Sequence, residues 1–353
     1  MEATVELYND KFGRLDVSAM RPYIGSDGRC YITVYTGGDQ RDIKNYKAVP
    51  TNYATLFKDE WRQLDEAVVK AAQKRLVGIQ DLVKNGLVYN LTNAMGTPVL
   101  MYNDIAMQGE AKITMDGVNR GLGDRPEMKA NYLPIPLTTF DFELDARTLE
   151  VTRRMGNPLD TTMAETGARL VAEKLEKMLF TDTSYSFGEK DDKGRNTIYS
   201  YLSHPDINLA TLGTAWSSLT SNIGTTIVGQ VLTMKQASIE AMHYGPWVLY
   251  VPTAYETVLD KDYDDAYPST TIRDRILKIA GIQDVKVIDM LPANHVLLVQ
   301  MTSDVVRLVT GVPIQTVEWS TEGRFVNKYK VMTIQVPQVR SDANGKTGIV
   351  LLS

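Results

Sequence analysis

The sequence predicts an α+β fold, and three observations predict it. Two long stretches carry apolar residues at helical spacing, residues 225–312 alternate helix with strand, and everything after Val305 reads as strand. The 353 residues are enough to bury a large core, in one elaborated domain or two modest ones.

Residues 1–54 are polar and weakly patterned, with one strand expected at Cys30–Tyr35 and a turn at Gly37-Gly38. A terminus of this composition needs something to hold it, and a neighbouring subunit suits that role. Residues 55–85 form one amphipathic helix through Phe57, Trp61, Leu64, Val68, Ala71, Ala72, Leu76, Ile79 and Val83, stopped by Gly86. Ala111, Ile113 and Met115 then alternate with polar residues, as do Phe140, Phe142 and Leu144. Between them lies a charged, glycine-rich tip, Asn119 to Met128, so residues 108–144 read as a long hairpin arm. Two strands alone are marginal in water, so this arm needs a surface to lie on. Pro134 and Pro136 mark its return strand as an edge.

A helix over 157–181 follows, with Asn157 as N-cap and Pro158 in the first turn. Glu165, Arg169, Glu173 and Lys177 step along one side of it as a polar stripe. The segment 182–224 is polar, with a surface loop at Glu189–Gly194. Helices near 225–243 and 270–280 and strands at Trp247–Val251, Val285–Ile288 and Val296–Gln300 make a small α/β unit. Strands at Val305–Val309, Ile314–Trp319, Val326–Val336 and Gly348–Leu352 close the chain.

Composition narrows the function. A 43% apolar and 23% charged chain is ordinary for a globular protein. With a net charge of -5 and no block of lysine and arginine, tight nucleic-acid binding is not expected. Cys30 is the single cysteine, which rules out an intrachain disulfide and fits a reducing compartment. No apolar run approaches the ~18 residues of a membrane span, and the acidic start does not resemble a signal peptide.

No constellation of catalytic, cofactor or metal residues is expected. His204, His243 and His295 lack zinc-site spacing, and no Gly-x-Ser-x-Gly elbow occurs. Gly117, Gly121 and Gly123 precede no Lys-Ser/Thr pair, and they suit a hairpin tip better than a phosphate cradle. The aspartates of Asp260–Asp265 have the start of a calcium loop but lack its glycine and its closing glutamate, Asp265 and Thr271 standing there instead. A covalent bond from Lys112 or Lys129 to a neighbour's Asn327 is conceivable, but no catalytic carboxylate is identifiable and the unlinked reading is preferred.

The order of elements (polar terminus, helix, charged-tip hairpin, long helix, α/β unit, final strands) resembles the major capsid proteins of tailed phages with the Hong Kong 97 fold, and the related encapsulin shell proteins. The resemblance spans nearly the whole chain. It implies an N-arm over 1–54, the start of a peripheral domain over 55–103, and an E-loop over 104–144. It further implies a spine helix within 145–224, an axial domain over 225–312 and closing strands over 313–353. E-loop contacts to other subunits would fall on Lys112, Asn119, Arg120, Asp124, Arg125, Glu127 and Lys129. The implied partners are further copies in pentamers and hexamers, scaffolding, portal and decoration proteins, and packaged double-stranded DNA held without sequence-specific binding. No cofactor and no membrane enter, and no scaffolding extension precedes the N-arm. Two other readings stand beside the phage capsid: an encapsulin-like compartment, and a soluble α/β enzyme with its site in 225–312.

Overall fold

The computed structural model describes residues 8–9, 14–15, 20–36, 42–51, 56–73, 77–106, 115, 127–154, 161–181, 185–187, 197–263, 270–322, 326–342 and 344–353. Along the chain come β1 (Cys30–Tyr35), β2 (Tyr46–Pro50), α1 (Lys58–Gln73), α2 (Val77–Lys84) and β3 (Val88–Asn90). Next are β4 (Val99–Ala106), β5 (Glu127–Pro134), β6 (Thr138–Asp145), α3 (Ala146–Arg154) and α4 (Thr162–Phe180). The second half holds β7 (Asn208–Ala210), α5 (Ile223–Glu240), β8 (Trp247–Pro252), α6 (Ile272–Leu277) and β9 (Ile282–Ile288). The chain ends with β10 (Val296–Gln300), β11 (Val306–Glu322), β12 (Val326–Val339) and β13 (Ile349–Leu352).

One four-stranded sheet has the order β6-β12-β11-β3. Helices α1 and α4 lie on it, and Leu64, Val68, Ala168 and Val171 close a core with Phe142, Tyr329 and Val331. Phe142 stacks on Tyr329 at 5.4 Å. A side chain at Gly167 would come within 2.6 Å of the Phe140 ring, so glycine is what lets α4 settle this close. The two strands expected at 305–309 and 314–319 are one strand, β11, whose register shifts around Val312 absorb the irregular Gly311 and Pro313.

A five-stranded sheet has the order β7-β13-β10-β8-β9. The C-terminal strand β13 does not stay with the closing strands, as expected, but inserts between β7 and β10. The reason is chemical: Ile349, Val350, Leu351 and Leu352 are all buried, and a strand apolar on both sides belongs at the centre of a covered sheet. Helix α5 covers one side of it, and α4 reaches the other through Phe180, whose ring meets Tyr250 at 5.0 Å. Helix α4 thus joins the two sheets.

Three further expectations fall partly within the described residues. The expected 55–85 helix is present as α1 from Lys58 and α2 to Lys84, Leu56–Phe57 being strand instead, and 74–76 lie outside the described residues. Its stop is as read, because Gly86 takes φ +71° while Leu87 N–H bonds Leu82 O and Gly86 N–H bonds Val83 O. Helix α4 is described from Thr162, with Thr161 before it, and the expected cap Asn157 and Pro158 lie outside the described residues. Finally, the described residues 20–36 and 42–51 of the terminal segment pack on their own chain. β2, β1, Tyr23–Ile24 and Leu56–Phe57 form a sheet, Trp61 Nε1 donates to Pro22 O at 2.9 Å, and Arg21 pairs with Asp65 at 2.7 Å.

Candidate assembly interface

The arm exists, but different strands build it. β4 pairs antiparallel with β5, from Val99 opposite Pro134 to Ala106 opposite Glu127. The expected return strand, Phe140–Leu144, lies in β6 and pairs with β12 instead. Alternation identifies a half-buried strand but not its partner, and Phe142 finds a richer apolar surface on the sheet than on a ribbon. The expected outgoing strand, 111–116, lies outside the described residues except for Met115.

Among the described residues, β4 and β5 pair with no third strand. The described base of the ribbon packs on the body, Leu100 and Tyr102 included. Leu133 and Ile135 are buried against Val309, Ile334 and Val336. Farther out the contacts turn polar. The Tyr102 hydroxyl hydrogen-bonds Gln338, and burial, then the Asp104 carboxylate, push its pKa up to about 12. Arg340 Nη2 donates to Asn103 O at a long 3.4 Å. Arg307 Nε donates to Gln338 Oε1 at 2.5 Å while its guanidinium sits 4.5 Å over Tyr89. Burial, and then the neighbouring Arg340 charge, lower the Arg307 pKa. The Asn131 amide donates to Asp104 across the ribbon. Met101 stands 58% exposed on the same strand. The ribbon is thus seated on the body as far out as Asp104, which is 4% exposed.

Of the residues expected to make contacts between subunits, Lys112, Asn119, Arg120, Asp124 and Arg125 lie outside the described residues. Glu127 and Lys129 are on β5, opposite Ala106 and Asp104 respectively. Asn327 is 2% exposed, opposite Leu144 in the sheet, and a neighbour's lysine could reach it only by opening β12. The root residues Tyr102, Arg307, Gln338 and Arg340 were missed. They come from three distant segments, and no local pattern joins them. Asp260, read as part of a solvated acidic helix end, lies 3.3 Å from Arg273.

These layers, a long helix joining two sheets and a separate two-stranded ribbon, define an α+β fold. The virus-like particle of Pyrococcus furiosus is similar over 84% of this chain and 99% of its own, at 17% identity and TM-score 0.58. The capsid of Myoviridae phage XM1 is similar over 76% and 90%, at 9% identity and TM-score 0.56. Mycobacterium phage Adephagia provides another match over 77% and 89%, at 11% identity and TM-score 0.53. The fold is the Hong Kong 97-like capsid fold. Residues 51–352 match the model of a family described as a family of unknown function, DUF6260, and the chain belongs to that family.

Proposed function

We propose that this chain is the major capsid protein of a tailed bacteriophage, a structural subunit and not an enzyme. Copies form pentamers and hexamers that close into an icosahedral shell around double-stranded DNA. The observation that carries this reading is the β4–β5 ribbon, which pairs with no third strand among the described residues and exposes Met101, and which gains a surface when a second subunit lies against it. On this reading the E-loop is the ribbon from Val99 to Pro134. Its tip brings Lys112, Asn119, Arg120, Asp124, Arg125, Glu127 and Lys129 to a neighbour. Helix α4 is the spine of a peripheral domain, the five-stranded sheet belongs to the axial domain, and residues 1–54 are the N-arm. Scaffolding, portal and decoration proteins are the further partners. The shell assembles in the host bacterial cytoplasm and resides in the virion. DNA is held by enclosure, which suits a net charge of -5.

An encapsulin-like compartment around a cargo enzyme is the second reading, favoured by the 99% coverage of the Pyrococcus particle's chain. Electron microscopy of purified particles separates the two, since small shells filled with protein and lacking nuclease-protected DNA would select the compartment. Excising 119–126 leaves both paired strands in place and tests the ribbon. The expected outcome is a folded subunit that assembles poorly, and normal shells from the trimmed chain would defeat the proposal.

A further inference from the structure

Where the ribbon meets the body, two arginines share one side of the β11–β12 pair. Arg307 stands opposite Gln338. The Arg340 N–H bonds Val305 O at 2.8 Å, which places Arg340 diagonally from Arg307 on the same side of the sheet. Each guanidinium lies against a tyrosine ring, Arg307 at 4.5 Å from Tyr89 and Arg340 at 5.9 Å from Tyr102. The two charges feel one another, since Arg340 is, after burial, the cause that lowers the Arg307 pKa. Like charges on neighbouring strands oppose pairing unless an anion lies between them.

Among the described residues, none of the chain's own carboxylates fills that place. The ionisable groups acting on Arg307 are Arg340, Tyr89 and Tyr102, with no acid among them. Asp104, which lies close enough to act on Tyr102, is 4% exposed and accepts from the Asn131 amide across the ribbon. Arg307 commits only its Nε, to Gln338. Its Nη1 and Nη2 have no acceptor among the described residues, and neither is shut away from solvent as Arg340 Nε is. Arg340 Nη1 and Nη2 reach Ser303 O and Asn103 O at 3.4 Å, a length at which a hydrogen bond is weak. Two guanidinium forks thus keep donors in reserve at one spot.

We infer that Arg307 and Arg340 form a receptor for a carboxylate of a second copy of this chain. The inference rests on the proposed shell and names a contact that would hold it. The planar forks match a carboxylate, which accepts from them in pairs. Two observations select a second copy as its source. Arg340 touches the ribbon at Asn103, near the exposed Met101, on the element that the shell lays against a neighbour. The chain also carries 43 acidic against 38 basic residues, so a neighbour's surface offers carboxylates in excess. A nucleic-acid phosphate fits the same forks, but a net charge of -5 disfavours the approach of a polyanion. A carboxylate arriving between the arginines removes their repulsion, and it does so only when a neighbour is present.

Inorganic sulfate serves as the probe for the empty receptor. Calorimetric titration of dissociated full-length chains, with chloride at equal ionic strength as reference, should show sulfate binding that weakens about tenfold or more in Arg307→Gln. Arg340→Gln should act alike, and it carries the test if R307Q does not fold. Assembled wild-type particles should not bind sulfate at this site, because a neighbour's carboxylate fills it. The concentration of R307Q needed to form particles should rise about tenfold or more. Sulfate binding that is absent, or equal in wild type and both variants, overturns the receptor. Particles that take up sulfate as free chains do, or that R307Q forms as readily as wild type, overturn the second copy as occupant. Capture of a short DNA duplex by wild-type chains but not by R307Q also overturns it, in favour of a phosphate. If the wild-type chain forms no particles, the shell and the occupant fall together, while the sulfate titration still decides the receptor.

Discussion

The five-stranded sheet and the β4–β5 ribbon differ in composition, the ribbon carrying Asn103, Asp104, Glu127, Lys129 and Asn131 where β8, β10 and β13 are almost wholly apolar. Every residue of β8, β10 and β13 is buried. Each large apolar side chain there contributes about 1.5–3 kcal/mol, and the sheet is covered on both sides by its own chain. The described ribbon has two strands, packs on the body through Leu100, Tyr102 and Leu133, and leaves Met101 58% exposed. The sheet therefore supplies more of the subunit's stability. The exposed side of the ribbon remains available for contacts outside the chain.

The sharpest way to break this contrast is to damage the sheet. Leu298 is fully buried on β10 among Val231, Leu249 and Val350. Leu298→Ala should lower the unfolding free energy by about 2–5 kcal/mol, measured by denaturant titration of the dissociated chain. A loss below 1 kcal/mol would mean that the ribbon and the sheet do not differ as described.

The junction between the two sheets gives a smaller effect with a defined sign. Burial pushes the pKa of Glu176, on α4, up to about 8, so the folded chain keeps that proton to about pH 8, whereas an unfolded glutamate releases it near pH 4.3. Between those values the folded state binds more protons, so stability falls as pH rises. From pH 6 to pH 9 the decline should be about 3 kcal/mol, and Glu176→Gln should remove it. Denaturation curves at several pH values check this. Equal slopes in the two proteins would sink it.

The sequence was readable wherever one element's own periodicity decides its fate. The helix stop at Gly86, the α1 stripe of Trp61, Leu64 and Val68, and the strands Trp247–Val251 and Val296–Gln300 all depend on neighbours in the chain. What escaped was pairing. Phe140–Leu144 alternates in the same way whether its partner is a hairpin strand or β12, and only the packing of Phe142 on Tyr329 decides. The buried acid and the candidate site escaped for a similar reason. Glu176 sits in the sequence beside Lys177, within a charged helix, and nothing local shows that its face turns into the protein. Arg307 and Arg340 approach one another only because β11 and β12 pair with Arg307 opposite Gln338.

The smallest effect on stability should accompany a large effect on assembly. Met101 is on β4, more than half exposed, on a ribbon that pairs with nothing else among the described residues. Replacing it with serine removes apolar surface that the isolated subunit does not bury, so the unfolding free energy should change by less than about 0.5 kcal/mol. If a neighbouring subunit covers that side chain, the same change weakens every copy of the contact in a closed particle. Each loss is modest, but symmetry repeats it throughout the shell. Sedimentation of Met101→Ser under assembly conditions should show a marked shift from particles to free subunits, alongside an unaltered denaturation midpoint. A midpoint that drops with particle yield would place Met101 in the subunit's own packing and remove the distinction between ribbon and body.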